Sequence, residues 1–179
     1  MGETIANKTY VLRHFSEALE KHYIKVYYQP VIRTLTGKLS GFEALARWED
    51  PEHGMIFPNV FIPVLEKAQL INRLDRYILE QVCKMFRDRV DNGLPLVPVS
   101  INLSAYDFEV ANPIDTIEKM VQYYRIPRTV LHIEITEGVM LRNHNSMSKT
   151  IRQFQQGGYQ VWMDDFGSEY SSLNSLHNY

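Results

Sequence analysis

Two hydrophobic periods alternate along this chain. Over residues 8 to about 22, Tyr10, Val11, Phe15, Ala18 and Leu19 recur at near-helical spacing, which predicts an amphipathic helix. IKVYYQPVIR (24–33) and LSGFEALARWE (39–49) read as strands, with a turn at Thr36-Gly37-Lys38 between them and a loop at Asp50-Pro51-Glu52-His53-Gly54 after them. Helical spacing returns over 58–69 and 71–92, the second helix stopping at Asn92-Gly93. LVPVSINLS (96–104) is a third strand, 113–125 a helix that ends before Pro127, and TVLHIEIT (129–136) a fourth strand. A helix over 145–156 stops at Gly157-Gly158, YQVWMDDF (159–166) is a fifth strand, and a last helix starts near Tyr170. After the opening hairpin, strand and helix alternate with a repeat of roughly 30 residues, the rhythm of a parallel sheet covered by helices. No linker interrupts it, so one domain is expected.

The strands carry their polar residues late and on one side. Gln29 lies in the first, Glu43 and Arg47 in the second, Asn102 in the third, Glu134 in the fourth, Asp164 and Asp165 in the fifth. Alternation puts Glu43, Leu45 and Arg47 opposite Phe42, Ala44 and Ala46. Likewise Ser100, Asn102 and Ser104 oppose Ile101 and Leu103, and His132, Glu134 and Thr136 oppose Leu131, Ile133 and Ile135. The apolar face suits helices; the polar face suits the interior of a βα barrel, whose sites form at the C-terminal strand ends.

Asp164-Asp165 ends an apolar strand with two adjacent carboxylates. Either they cap a turn and face water, or a cation compensates their charge. Glu, Asn, Glu, Asp and Asp on one rim form an all-oxygen set, which suits Mg²⁺ or Mn²⁺ better than zinc or copper. These five are expected in one small, solvent-open cluster. Arg47 either meets a phosphate or pairs with Glu49 or Asp50. His132, alone in its strand, reads as a hydrogen-bonded core residue.

Composition narrows the classes. A formal net charge of −2 with no Lys/Arg run gives no electrostatic footprint for a nucleic acid polymer or a membrane surface. The single cysteine, Cys83, sits in a helical pattern and reads as a structural thiol in a reducing cytoplasm. MGETIANKTY lacks the charged start and apolar run of a secretory signal, and no apolar run is long enough to span a bilayer. A cytoplasmic location is the expectation, with any membrane anchor lying in other parts of a parent protein.

Gln29-Pro30, Glu43-Ala44-Leu45-Ala46-Arg47-Trp48, Asn102-Leu103-Ser104, Glu134-Ile135-Thr136-Glu137 and Asp164-Asp165-Phe166-Gly167 resemble, in this order, the motifs of the EAL domain family, which hydrolyses the bacterial messenger cyclic di-GMP. The resemblance runs from about residue 24 to 179 and includes Pro58, Phe61-Ile62 and Glu66. It implies an α/β fold, an incomplete EAL-type (β/α) TIM-like barrel with about five of eight strands and the first strand antiparallel. Residues 1–23 would lead in as a helix and 24–179 would form the N-terminal part of the domain.

The resemblance implies Glu43, Asn102, Glu134, Asp164 and Asp165 as metal ligands, with Glu43 and Asp165 catalytic and Asp165 beside the attacking water. It implies Gln29, Leu45 and Arg47 as substrate-site residues, and Glu137 as the anchor of the loop after the fifth strand. The implied reaction is Mg²⁺- or Mn²⁺-dependent hydrolysis of cyclic di-GMP to linear pGpG, with Ca²⁺ inhibitory. Later ligands of the family have no counterpart in this sequence, so the chain alone is expected to be inactive. Its bare strand edge is expected to pair in a homodimer, there or through an EAL-type interface. Glu169 stands where the family's loop has a glycine. An EAL domain that binds cyclic di-GMP as a sensor, or a fragment that serves only as an interaction module, are the alternatives.

Overall fold

The computed structural model describes residues 8–110, 112–136 and 144–164. The elements follow in the order α1 (Lys8–Glu20), β1 (Ile24–Ile32), β2 (Leu39–Asp50), β3 (Gly54–Ile56), α2 (Pro58–Lys67), α3 (Ile71–Asp91), β4 (Val99–Leu103), α4 (Ala105–Val110), α5 (Pro113–Tyr124), β5 (Leu131–Thr136), α6 (His144–Gln156) and β6 (Gln160–Asp164). The strands lie in the order β1-β2-β4-β5-β6, with β3 paired to β2. β1 and β3 run antiparallel to β2, while β2, β4, β5 and β6 are mutually parallel. This is the α/β class expected, with the first strand reversed.

The strand expected from Thr129 begins only at Leu131, after a 3-10 turn at Arg128–Val130, and two short elements, β3 and α4, are not legible in the pattern. β3 forms where a loop was expected to run on, its three residues pairing with Trp48, Glu49 and Asp50. α4 is only six residues long, too short to show a period, yet Ser104 marks its start: the hydroxyl and backbone N–H of Ser104 both donate to Asp107 Oδ2, at 2.7 and 2.9 Å. The last strand's final residues and the helix near Tyr170 lie outside the described residues.

Apolar burial fixes the helix-facing side of the sheet. Trp48 of β2 is fully buried between Phe15 of α1 and Phe61 of α2, with ring centroids at 6.5 and 5.8 Å. Val11 and Ala18 bury the same stripe of α1. Cys83 is buried in α3, and burial pushes its thiol up to about 12, as suits a structural thiol. Gly41 solves a close approach: a β-carbon there would sit 2.7 Å from the carbonyl oxygen of Pro98, which accepts the N–H of Phe42 at 2.9 Å. That bond begins the β2–β4 ladder and sets the height of Glu43 against Ser100.

Candidate functional site

Register decides which polar side chains become neighbours. Glu43 lies opposite Gln29 of β1 on one side and level with Ser100 of β4 on the other. Asn102 of β4 is level with Glu134 of β5, and Glu134 with Trp162 of β6. Asp164 is level with Thr136, one same-face step further along. All of these share one face by period-two alternation, so the sheet brings Gln29, Glu43, Asn102, Glu134 and the Asp164 position into one staggered row.

Two expectations about position need correcting. The polar residues do not all come late: Glu43 is the fifth of twelve residues in β2, and β1 runs the other way, so Gln29 reaches the row from the opposite direction. The cluster is also not fully open. Gln29 is exposed and Glu43 and Asn102 are half-buried, but Glu134 is only 7% exposed. β5 is a central strand whose residues Leu131 to Ile135 are buried on both faces, so its carboxylate cannot reach bulk water as an edge residue would.

The donor set is made of hard oxygens. Asn102 donates its Nδ2 to Glu43 Oε1 at 2.9 Å, which fixes the amide and leaves its Oδ1 as a neutral oxygen donor beside two carboxylates. This chemistry fits a divalent cation held by oxygen. Among the described residues no group of three His, Cys, Asp or Glu side chains stands ready to hold a metal. The Asp164 side chain, Asp165 and Glu137, the residue expected to anchor the loop, lie outside the described residues.

His132 is buried beneath the row, its ring 4.6 Å from that of Trp162, and burial holds its pKa below the ordinary value. It is a core residue as expected, but Nδ1 has no hydrogen-bond partner among the described residues. Arg47 forms neither of the ion pairs weighed from the sequence. Asp50 is taken by the Tyr10 hydroxyl, two backbone N–H groups and His53, and Glu49 accepts from the Tyr27 hydroxyl at 2.8 Å. Arg47 makes no ion pair among the described residues; its Nη1 donates to the carbonyl of Ala46 at 2.8 Å, and its guanidinium carbon lies 5.9 Å from the Tyr27 ring centre. Tyr27 and Glu49 were not singled out as site residues from the sequence. Tyr27 shares a face with Gln29 two positions on, and that alternation was the available signal.

A strongly perturbed carboxyl lies elsewhere. Asp75 of α3 is pushed well above the ordinary range by burial and by the negative charge of Asp107. Both line a cavity of about 170 Å³ among α3, α4 and α5, on the helix side of the sheet and away from the row.

Comparison with known proteins fits this geometry. A family model described as "EAL domain" matches residues 12–179. The bifunctional diguanylate cyclase/cyclic di-GMP phosphodiesterase MucR of Pseudomonas aeruginosa is 31% identical over 97% of this chain and 25% of its own length. The cyclic di-GMP phosphodiesterase PdeR of Escherichia coli is 32% identical over 98% of this chain and 26% of its own length. This chain thus spans about a quarter of these relatives. A solved structure described as PaMucR phosphodiesterase in complex with c-di-GMP superposes with a TM-score of 0.84 at 32% identity, covering 93% of this chain and 67% of that one. The FimX EAL domain of Pseudomonas aeruginosa shares the fold at TM-score 0.79 and 20% identity, over 93% of this chain and 66% of that one. Among the described residues no helix is long and apolar enough to cross a membrane. From the ordered polar row and the matched family model together, this chain is a member of the EAL domain family.

Proposed function

We propose that this chain supplies the cation-binding and phosphate-binding row of a cyclic di-GMP phosphodiesterase. The observation that carries the reading is the row itself: Glu43, Asn102 and Glu134 on three successive parallel strands, joined by the Asn102–Glu43 hydrogen bond. Glu43, Asn102, Glu134, Asp164 and Asp165 would hold Mg²⁺ or Mn²⁺, which when bound acidifies water and neutralises phosphate charge. Within this set, Asn102 orients Glu43 and adds a neutral oxygen, so ligand charge does not build up further. Burial of Glu134 keeps water from competing for its carboxylate.

Arg47 meets a bridging phosphate through N–H donors that no carboxylate in the described structure occupies. Gln29 and Leu45 line the nucleotide's side of the row, and Asp165 accepts a proton from the attacking water. Glu137 tethers the loop after β6. The product is linear pGpG, formed when water adds to phosphorus and the sugar 3′-oxygen leaves. Because this chain spans two thirds of the matched MucR structure, turnover is assigned to the EAL domain at its full extent.

The test is chromatographic analysis of cyclic di-GMP incubated with the parent protein and Mg²⁺ or Mn²⁺. Appearance of pGpG, lost with Glu43→Gln and suppressed by Ca²⁺, supports the reading. Tight binding with no product would instead support a sensor.

A further inference from the structure

We infer that Tyr27 is a positioning residue for Arg47: it seats the guanidinium and occupies a carboxylate on the same face, Glu49, that would otherwise capture it. The inference rests on the reading of Arg47 as a phosphate contact. Arg47 and Glu49 are two positions apart on β2 and share a face, so their side chains are within reach of each other. Left alone, such a pair closes into an ion pair, and a guanidinium held by a carboxylate is a poor phosphate ligand.

Tyr27 prevents this in two ways. Its hydroxyl donates to Glu49 Oε1 at 2.8 Å, and the same ring lies 5.9 Å from the Arg47 guanidinium carbon, within range of a cation–π contact. A tyrosine hydroxyl is protonated at neutral pH, and the hydrogen bond to Glu49 raises its pKa further. With Nη1 committed to the Ala46 carbonyl, the other N–H groups of Arg47 have no hydrogen-bond partner among the described residues.

Burial does not explain Tyr27. It is 44% exposed on the face of the polar row and fills no gap in the core. A second feature points to an anion at this place. Lys25 is the register partner of Arg47 on β1, so two cations stand directly opposite each other. Like charges so placed cost stability unless an anion lies between them. One oxygen of Glu49 accepts from Tyr27, and a phosphate bound over the Lys25–Arg47 pair would meet both cations.

The experiment measures the dissociation constant of cyclic di-GMP for the full chain, with Ca²⁺ replacing Mg²⁺ to prevent turnover, alongside thermal unfolding. Arg47→Ala should weaken binding by about tenfold or more, as loss of a charge-assisted phosphate contact. Tyr27→Phe keeps the ring but frees Glu49, and should weaken binding about three- to fivefold, the strength of an exposed ion pair now competing for Arg47. Tyr27→Leu removes ring and hydroxyl and should cost roughly tenfold. Adding Glu49→Gln to Tyr27→Phe should restore most of the loss, a rescue that a merely structural tyrosine would not show.

A full loss with Arg47→Ala beside unchanged binding in both Tyr27 variants overturns the role of Tyr27 alone. Equal weakening with and without Glu49→Gln overturns the competition. Unchanged binding with Arg47→Ala overturns the phosphate reading of Arg47, and absence of binding by the unsubstituted chain overturns both. If Tyr27→Leu fails to fold, the Phe variant and its rescue decide the matter.

Discussion

The two faces of this sheet obey different rules. On the helix-facing side, Ala44, Trp48, Val99, Ile101, Leu131, Ile133 and Ile135 are all buried, with Asp50 a buried charge at the end of β2. On the other side, at intervening positions of the same strands, stand Glu43, Arg47, Asn102, His132 and Glu134. Burying apolar area stabilises the fold at roughly 25 cal/mol per Å². Burying a carboxylate such as Glu134 costs stability unless a partner compensates it. One face therefore builds the molecule, while the other holds the polar residues to which the proposed chemistry is assigned. Substitutions on the two faces should separate stability from ligand binding.

The largest effect is expected at Trp48. Trp48→Ala empties the space between Phe15 and Phe61 and should cost about 3–5 kcal/mol in chemical denaturation. A loss below about 1 kcal/mol would mean that the aromatic cluster does not hold α1 and α2 on the sheet. Next comes Gly41→Ala, which drives a methyl against the Pro98 carbonyl and should cost about 1–3 kcal/mol. It should also weaken cation binding, because the same contact sets the height of Glu43.

A charge cluster on the helix side sharpens the comparison. Arg128 donates twice to Glu118, Tyr159 donates to it as well, and these bonds hold the carboxyl at about 2, below the ordinary range. A folded-state pKa that is depressed gives stability present above the unfolded value and lost as pH falls toward the folded one. Melting temperatures at about pH 6 and about pH 3 should therefore differ less in Glu118→Gln than in the unsubstituted chain. An identical drop in both would remove the cluster from the acid response. The smallest stability effect is expected on the polar face. Glu43→Gln retains an acceptor for Asn102 and should change unfolding by less than about 1 kcal/mol while abolishing Mn²⁺ binding.

The same contrast explains what the sequence reveals. Period-two alternation identifies Trp48 and Ile133 as wall and Glu43, Asn102 and Glu134 as the opposite face, because both faces of a strand are written in its own residues. Relations between strands are harder to read. The β1–β2 register shifts between Val31 and Ile32, so nothing within either strand places Tyr27 beside Arg47 and Glu49. The depth of Glu134 follows from β5 lying between β4 and β6, which is a matter of sheet order. Short elements escape for another reason: β3 and α4 span too few residues to show a period, although Ser104 with Asp107 three positions on is a helix-start signal.

The most direct test of the polar row as a cation and nucleotide site is a crystal structure of the chain with Mn²⁺ and cyclic di-GMP, using the anomalous signal of the metal. The predicted result is a Mn²⁺ peak at about 2.0–2.3 Å from oxygens of Glu43, Asn102 and Glu134, with a bridging phosphate on Arg47. A nucleotide bound elsewhere, or a metal peak that touches none of these three residues, would contradict it.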